Sequence, residues 1–317
     1  MAEARGLLWG QVGLQISLPI AGLSGFYAAL EALPSLIAGL LYAKRASVLA
    51  ARGRPVPVWR QLCFAAGLLT ILAAVMPPIG SLADDLVIGH MVEHLMLGDI
   101  AALLLVLGLT GPLLQPLLGL PVLRHLRVLV NPLVAFPLWA IDLYFWHIPA
   151  LYDAAYGGAA IHALEHTMFI FCGCVMWMAL LGPLPRPAWF TNGWKLGYAI
   201  VVRFTGVVLG NIFMWSGSVF YDQYARGEAH WNVSPLSDQS TAGVIMMIEG
   251  TFVTLGIFAW LFFRTAQEGT ERQRLIELAE ANGVVLDEAR AARAVAAGEG
   301  ARLERRLLAG RPVTGDG

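Results

Sequence analysis

Residues 90–108 read HMVEHLMLGDIAALLLVLG, which is an H-x-x-E-H motif at the head of a long apolar run. The same arrangement returns at residues 162–181, which read HALEHTMFIFCGCVMWMALL. Because residues four apart lie one above the other on a helix, each motif directs two imidazoles to one side with a glutamate beside them. Two such motifs on two membrane-length helices predict a site built between those helices.

The composition of the chain predicts a membrane protein. Of its 317 residues 57% are hydrophobic and 14% are charged, and its mean hydropathy is +0.65. Several uncharged runs reach the roughly 20 residues that a helix needs to cross the hydrocarbon core of a bilayer. The net charge is −1 and basic clusters with interleaved aromatic residues are absent, so we expect a lipid bilayer and no nucleic acid as partner. The predicted fold class is an all-α, polytopic membrane helical bundle.

Prolines and glycines between the apolar runs predict seven transmembrane helices. The transmembrane domain is placed at residues 1–264, with residues 1–26 as a lead-in whose role the sequence leaves open. A charged helical tail is placed at residues 265–317. The predicted spans are residues 27–42, 59–76, 84–110, 132–147, 161–181, 194–215 and 238–263.

The distribution of lysine and arginine predicts the orientation of these spans. The links after spans one, three and five hold five, two and two basic residues, with Arg60 and Lys195 at the start of the next spans counted in the first and third of these links, and the chain from Arg264 onward holds nine. The links after spans two, four and six hold none, none and one. Basic residues accumulate on the cytoplasmic side of a membrane. We therefore expect the amino terminus outside and the tail in the cytoplasm.

With this orientation, six of the seven histidines lie at the outer end of the bundle. Neutral imidazole is the commonest metal ligand in proteins, and two i, i+4 pairs can surround one or two ions. The isolated His147 and His230 fit an interfacial, hydrogen-bonded role almost as well. The predicted ligands are His90, His94, His162, His166, His147 and Asp238, and the predicted supporting residues are Glu93, Glu165, Met246 and Gln239.

The sequence leaves the metal open. Cys172 and Met176 continue the face of span five below the histidines, and sulfur ligands suit a soft ion such as Cu(I). Carboxylates beside histidine suit zinc or iron instead. H-x-x-E-H is also the motif of inverzincin peptidases, in which a zinc-bound water and the glutamate hydrolyse a peptide. A third interpretation is a b-type haem held between His94 and His166.

These residues resemble the CtaG-type family of cytochrome c oxidase assembly factors, which is associated with oxidases of the caa3 type. The resemblance covers roughly residues 25–264 and leaves out the tail. The sequence departs from the family pattern at Glu93, where glutamine is expected, and at Gly98-Asp99, which replaces an apolar stretch. The matching motifs are His90-Met-Val-x-His94, Gly111-Pro112, Trp146-His147-x-Pro149, His162-x-x-Glu165-His166 and Leu236-x-Asp238-Gln239.

The resemblance implies a seven-span protein of the bacterial plasma membrane that helps to mature the oxidase through its copper centres. Copper, as Cu(I), is therefore the expected ion, with zinc and haem as alternatives. The expected partners are oxidase subunits or other copper-handling proteins. The resemblance implies no enzymatic activity, with the metal-dependent hydrolase as the rival interpretation.

One further expectation concerns charges inside the spans. On span three, Asp99 lies about 180° from the face of His90 and His94 at 100° per residue, so it needs another partner. Arg203, on span six, is the basic residue at comparable depth. We expect these two residues to pair, the alternative being a protonated Asp99 that bonds a backbone carbonyl or Asn211.

Overall fold

The computed structural model describes residues 20–120, 128–187, 189–296 and 298–309, and all regular structure in these ranges is helical. A π-helical segment, Met96–Ala101, joins α4 to α5, and a single 3-10 turn, Asp222–Tyr224, precedes α11. The helices are α1 (Ile20–Ala51), α2 (Val58–Val75), α3 (Ile79–Asp85), α4 (Val87–Leu95), α5 (Ala102–Gly108), α6 (Gly111–Leu118), α7 (Pro132–Trp146), α8 (Pro149–Gly157), α9 (Ala159–Leu181), α10 (Asn192–Trp215), α11 (Ala225–Trp231), α12 (Pro235–Ala281), α13 (Glu288–Ala296) and α14 (Gly300–Leu308).

Six helical stretches among the described residues are long and apolar enough to cross a bilayer. The helices α7 and α8 meet at an angle of 73° and form a bent pair, which would be a seventh span if it crosses as one unit. The prediction of an all-helical membrane bundle is therefore confirmed. The six stretches are Leu33–Ala51, Val58–Val75, Val87–Gly108, Ala159–Leu181, Asn192–Trp215 and Pro235–Ala281.

Two predicted boundaries differ from the structure. The predicted stop at Lys44-Arg45 is wrong, because α1 continues to Ala51. Residues 20–26 of the predicted lead-in belong to α1, and residues 1–19 lie outside the described residues. At the other end, α12 runs unbroken from Pro235 to Ala281 and so passes through the predicted domain boundary at residue 264.

The far end of α12 carries a small core of its own. The helices α13 and α14 pack against it, with Ala279, Val295 and Leu307 among the buried residues at their contact. Residues 310–317 of the predicted tail lie outside the described residues. The division into a membrane domain and a cytoplasmic tail stays a prediction.

Spans three and five cross with their backbones in contact. A Cβ atom added to Gly173 would lie 2.0 Å from the carbonyl oxygen of Gly98, so no side chain fits at this crossing. The crossing falls inside the π-helical segment, a local widening that is frequent at functional sites. Because α9 touches this segment, the side chains one to three turns above the crossing, on α4 and α9, are brought near each other.

The largest buried core lies below this crossing, between α5, α7, α9, α10 and α12. Met176 and Trp177 of α9 pack there with Trp139 of α7, Tyr198 of α10 and Leu261 of α12. This core fixes the position of α9, on which half of the candidate site is built.

Candidate metal site

The structure brings the four histidines of the two motifs together. Within each motif the imidazole centroids are 4.1 Å apart, both for His90 and His94 and for His162 and His166. Between the motifs, the centroid of His90 lies 5.8 Å from that of His162, and the centroid of His94 lies 5.6 Å from that of His166. The first histidine of one motif therefore faces the first of the other, and the second faces the second.

Each glutamate lies beside a histidine of the other motif. The Oε1 atom of Glu165 lies 3.6 Å from Nε2 of His94, and the Oε2 atom of Glu93 lies 3.7 Å from Nε2 of His166. Two groups of donor atoms therefore form, within each of which all the atoms lie inside 4.8 Å of one another. One group is His90, His94, His162 and Glu165, and the other is Glu93, His162 and His166.

Most of the donor atoms are buried and have no hydrogen-bond partner in the part of the chain that the structure describes. The side chains of His90, His94 and His166 are 3%, 6% and 5% exposed, and Glu165 is fully buried. A buried polar atom without a partner destabilises a fold by about 1–3 kcal/mol, and an ion would satisfy several of them at once. The residues thus fit a metal ion. The unpartnered atoms are Nε2 of His90, both ring nitrogens of His94 and His166, Nε2 of His162, and both carboxylate oxygens of Glu165.

His147 lies beside the cluster, at the break between α7 and α8. Its Nδ1 atom is 2.6 Å from the carbonyl oxygen of Leu143. Because a carbonyl can only accept, the proton of a neutral His147 is on Nδ1, and Nε2 keeps a lone pair. That Nε2 atom is buried without a partner, and the ring centroid is 6.4 Å from that of His94. His147 is outside both donor groups, and its role as a ligand stays a prediction.

The carboxylate of Asp238 is held by backbone amides. Its Oδ2 and Oδ1 atoms accept hydrogen bonds from the N–H groups of Val87 (2.7 Å) and Ile88 (2.9 Å). These are the first two residues of α4, whose amides have no partner within the helix. Asp238 therefore ties α12 to the start of the helix that carries His90 and His94. Its predicted role as a metal ligand is untested, and these contacts give it a different one.

The other two predicted supporting residues also hold the surroundings of the site. Gln239 accepts from the N–H of Phe220 (2.8 Å) and donates to the carbonyl of Ser218 (3.1 Å), which fixes the loop before α11. Met246 is 8% exposed and packs in a core cluster with Met91 and Tyr221.

Three tyrosines that sequence reasoning missed close the site on one side. Tyr152 lies 4.8 Å from His90 between ring centroids, and its hydroxyl is 2.7 Å from that of Tyr224. Tyr221 stacks on Tyr152 at 3.8 Å and donates to the backbone carbonyl of His147 (2.9 Å). Burial raises the pKa of Tyr221 and of Tyr224, so both hydroxyls stay protonated at neutral pH. The aromatic run at 220–224 was the available signal.

A buried carboxylate on α7 was also missed. Asp142 is 3% exposed, and its Oδ1 atom accepts from the indole N–H of Trp146 (3.1 Å). The thiol of Cys172 on α9 is a second hydrogen-bonding neighbour of this carboxylate. An aspartate in the otherwise uncharged run 132–146 was the signal that could have identified it, because intramembrane carboxylates are rare.

The predicted pairing of Asp99 with Arg203 is wrong as a direct contact between these two described residues. Both residues line one cavity of about 70 Å³, together with Glu249. Arg203 donates to the carbonyl of Met247 and to Oγ1 of Thr251, both on α12, and not to Asp99. The three charged side chains share a cavity next to the histidine site, since Leu95 and Met246 also line it.

These observations define a membrane protein with a buried histidine–carboxylate cluster between two of its spans. The sequence matches the Caa3_CtaG family, the cytochrome c oxidase caa3 assembly factors, over residues 40–268, and the chain belongs to that family. The resemblance predicted from the motifs is thus confirmed, and the match contains both H-x-x-E-H motifs.

Two mycobacterial proteins are similar over part of their length. The uncharacterized proteins Mb0105 of Mycobacterium bovis and MT0111 of Mycobacterium tuberculosis are each 26% identical over 226 residues. The matched region is 64% of this chain and 33% of each relative. The chain therefore spans about a third of the length of the curated relatives that it matches. No solved structure shows a significant match.

Proposed function

We propose that this protein assists the assembly of a haem–copper cytochrome c oxidase by holding copper at the histidine cluster. The observation that carries the proposal is the group of buried donor atoms, without hydrogen-bond partners, of His90, His94, His162 and Glu165. The family gives the process, oxidase assembly, and the cluster gives a means by which this chain could take part in it.

The donor set is made of imidazole nitrogens with carboxylates. Imidazole suits copper and zinc alike, and thioether or thiolate sulfur would favour Cu(I) more strongly. Among the described residues, the two donor groups include no cysteine sulfur. Copper, expected as Cu(I), is therefore proposed from the family and from the histidines, with zinc as the alternative.

The arrangement of the donor atoms fits an ion that the protein binds and then transfers to a partner. His162 belongs to both donor groups, and together the groups hold more donors than a four-coordinate ion needs. An ion could therefore exchange ligands between overlapping sets without leaving the buried site. The partners in this proposal are an oxidase subunit or another copper-handling protein.

We place the site on the extracytoplasmic side of the bacterial plasma membrane. His90 faces His162, His94 faces His166, and Gly98 contacts Gly173, so spans three and five run parallel. Parallel spans need a crossing between them, and α7 with α8 is the described segment that can provide it. This supports seven spans.

Two arginines also support this orientation. They bind the end of span three that lies away from the histidines. Arg60 donates to the carbonyls of Leu107 (2.9 Å) and Leu109 (2.7 Å), and Arg45 donates to that of Pro112 (2.9 Å). Basic residues at a helix carboxyl end satisfy its free carbonyls, and in a membrane protein they mark the cytoplasmic side.

Two rival interpretations, a zinc hydrolase and a haem protein, differ in how well they fit this geometry. In a zinc hydrolase, Glu165 would be the general base for a metal-bound water, and its contact with His94 at 3.6 Å permits that role. The haem alternative has less support, because the four imidazoles pack within 4.1–5.8 Å of their neighbours, closer than ligands on opposite faces of a porphyrin would lie.

The test uses His94→Ala and His166→Ala, with His230→Ala as the matched control, since His230 is an exposed histidine on α11. The cluster variants should lose most of the copper that is bound per purified protein, measured by mass spectrometry, and the control should keep it. Cells that carry a cluster variant should assemble an oxidase with less copper and with unchanged haem. A cluster variant that binds copper as the control does would overturn the proposal.

Glu165→Gln separates copper handling from hydrolysis. As a support, Glu165 should be partly dispensable, with copper affinity reduced about 10–100-fold, the usual effect of losing a residue that orients ligands. As the general base of a hydrolase, its loss would abolish function with the metal still bound. Metal content and oxidase assembly measured on the same variant decide between the two.

A further inference from the structure

At the end of the bundle opposite to the histidines, the chain forms a basic pocket of about 600 Å³. Its wall combines the loop after α9, the first turn of α10, the part of α12 beyond Phe263, and α13. Four cationic side chains and one carboxylate line it, an excess of three positive charges. The charged lining residues are Arg186, Lys195, Arg264, Arg272 and Glu268.

The single carboxylate of this lining is already shared by two donors. Glu268 accepts from Nε of Arg264 (2.8 Å) and from the side-chain amide of Asn192 (3.0 Å). Lys195, only 7% exposed, donates to the carbonyl oxygen of the same Asn192 (2.9 Å). Glu268 therefore leaves most of the positive charge of the pocket without an acid.

The remaining two arginines have weak or neutral partners. Arg186 donates to the backbone carbonyl of Gly182 (2.6 Å). Arg272 has one carboxylate near it, that of Glu288 at 3.4 Å, and its Nε atom is buried without a partner. Burial, and to a smaller extent the neighbouring Arg264, lower the pKa of Arg186, because both disfavour its charged form. An anion in the pocket would relieve this crowding.

We propose that this pocket binds a phosphate group, with the guanidinium groups of Arg186 and Arg272 as its main contacts. Guanidinium groups match the planar, paired acceptors of a phosphate, and four cations around one cavity neutralise its charge. A pocket of this size also holds the glycerol unit of a phospholipid headgroup.

Tryptophans at the same end of the bundle favour a lipid as the source of the phosphate. Trp189 and Trp194 are 41% and 61% exposed, with ring centroids 5.9 Å apart. Trp260 is 42% exposed and lies 5.3 Å below the guanidinium of Arg264. Exposed tryptophans sit at the level of the headgroups, and basic pockets between spans bind anionic headgroups.

The experiment compares a pocket variant with a control of equal charge change. The pocket variant is Arg186→Gln with Arg272→Gln, and the control is Arg52→Gln with Arg54→Gln, two exposed arginines of the link after α1. Delipidated protein in neutral detergent is titrated with phosphatidylglycerol and with phosphatidylcholine of the same acyl chains. Retained lipid is then counted by native mass spectrometry.

Phosphatidylglycerol should bind the unchanged protein and the control alike, and the pocket variant about tenfold or more weakly, the effect of one lost charge-assisted hydrogen bond. Phosphatidylcholine carries the same phosphate with a compensating ammonium group, so it should bind the unchanged protein more weakly and lose less affinity in the pocket variant. Glycerol 3-phosphate tests whether a soluble phosphate can occupy the pocket. If it competes with the lipid only at millimolar concentration, the pocket is a lipid site. If it binds as tightly as the lipid, the pocket is a site for soluble phosphates. Equal binding of phosphatidylglycerol by pocket variant and control would overturn the proposal.

Should the double glutamine variant fail to fold, Arg186→Lys with Arg272→Lys keeps the charge and removes the paired guanidinium contacts. It should fold as the control does and bind phosphatidylglycerol several-fold more weakly. Unchanged binding by this variant would overturn the assignment of the two arginines. None of these measurements involves copper, so their outcome is independent of the proposed function.

Discussion

At the scale of single residues, the carboxylate of Asp238 serves the site through the backbone. Its two oxygens accept the N–H groups of Val87 and Ile88 at the start of α4. A negative charge at a helix amino end is stabilised by the free amides and by the helix dipole. The contact joins residues about 150 positions apart and sets the place at which the first H-x-x-E-H motif begins.

We expect Asp238→Ala to lower the free energy of unfolding by about 1–2 kcal/mol, the usual effect of losing an N-terminal helix cap. Asp238→Asn should have a smaller effect, since the amide keeps one of the two acceptors. The folded fraction of both variants should bind copper as the unchanged protein does. Thermal unfolding in detergent and metal analysis check this, and loss of copper from folded Asp238→Asn would instead make Asp238 a ligand.

The residues of the cluster differ in how far the sequence could predict them. The spacing of His90 and His94, and of His162 and His166, is a local helical property, so their shared faces could be predicted. Tyr152, Tyr221 and Tyr224 reach the site from a short helix and a loop. The direction of such segments depends on tertiary packing, which no periodicity reports.

At the scale of secondary-structure elements, the crossing of α9 with the π-helical segment determines the distance between the two motifs. Gly173 lies against the carbonyl of Gly98, and both are buried. Small residues let membrane helices approach until their backbones touch. The departure from the family pattern at Gly98-Asp99 falls at this crossing, but the residue that must be small there is Gly173, since a Cβ atom on Gly98 would lie 3.6 Å from Phe169, an ordinary contact.

Gly173→Ala should destabilise the protein by about 1–3 kcal/mol, the range for overpacking a tight interior, because its Cβ atom would meet the Gly98 carbonyl at 2.0 Å. Gly197→Ala on α10 is the matched control, since nothing lies within 4 Å of its Cβ position. The control should be neutral or slightly stabilised, because alanine favours a helix over glycine. Equal thermal midpoints for the two variants would contradict the close crossing.

Buried charges connect spans three, six and seven. Asp99, Arg203 and Glu249 line one cavity, and the guanidinium also lies against the backbone of Gly250, with Nη1 2.9 Å from the position of a Cβ atom there. The sequence identified Asp99 and Arg203 as an acid and a base without obvious partners inside the spans. It could not show that α12 supplies the hydrogen-bond acceptors of Arg203, because helix order around a bundle is not encoded in hydropathy.

Arg203→Leu should destabilise the bundle by about 2 kcal/mol, less than the 3–5 kcal/mol typical of a fully buried pair, since Arg203 is partly exposed. Adding Glu249→Gln should recover part of the loss, because it removes one of the two acids that share the cavity with Arg203. A double-mutant cycle on thermal unfolding measures the coupling. Strictly additive effects would show that these charges do not interact.

At the scale of the whole molecule, the two ends of the bundle have opposite chemistry. One end holds the buried histidines and glutamates, and the other holds the basic pocket and the arginines that bind the end of span three. The asymmetry of lysine and arginine along the sequence predicted this division. The bend of 73° between α7 and α8 and the continuation of α12 to Ala281 were not predictable, because both depend on packing between elements.

The proposed topology can be tested by labelling single cysteines in intact cells, in a variant whose three native cysteines are replaced by alanine. Asp153→Cys lies on the exposed side of α8 near the histidines, and Arg54→Cys lies in the exposed link after α1. A membrane-impermeant maleimide should label the former in intact cells and the latter only after permeabilisation. The reverse pattern would invert the orientation. Labelling of neither position in intact cells would mean that α7 and α8 do not cross the membrane as one span. Spans three and five run parallel and need one span between them, so this outcome would contradict the proposed topology.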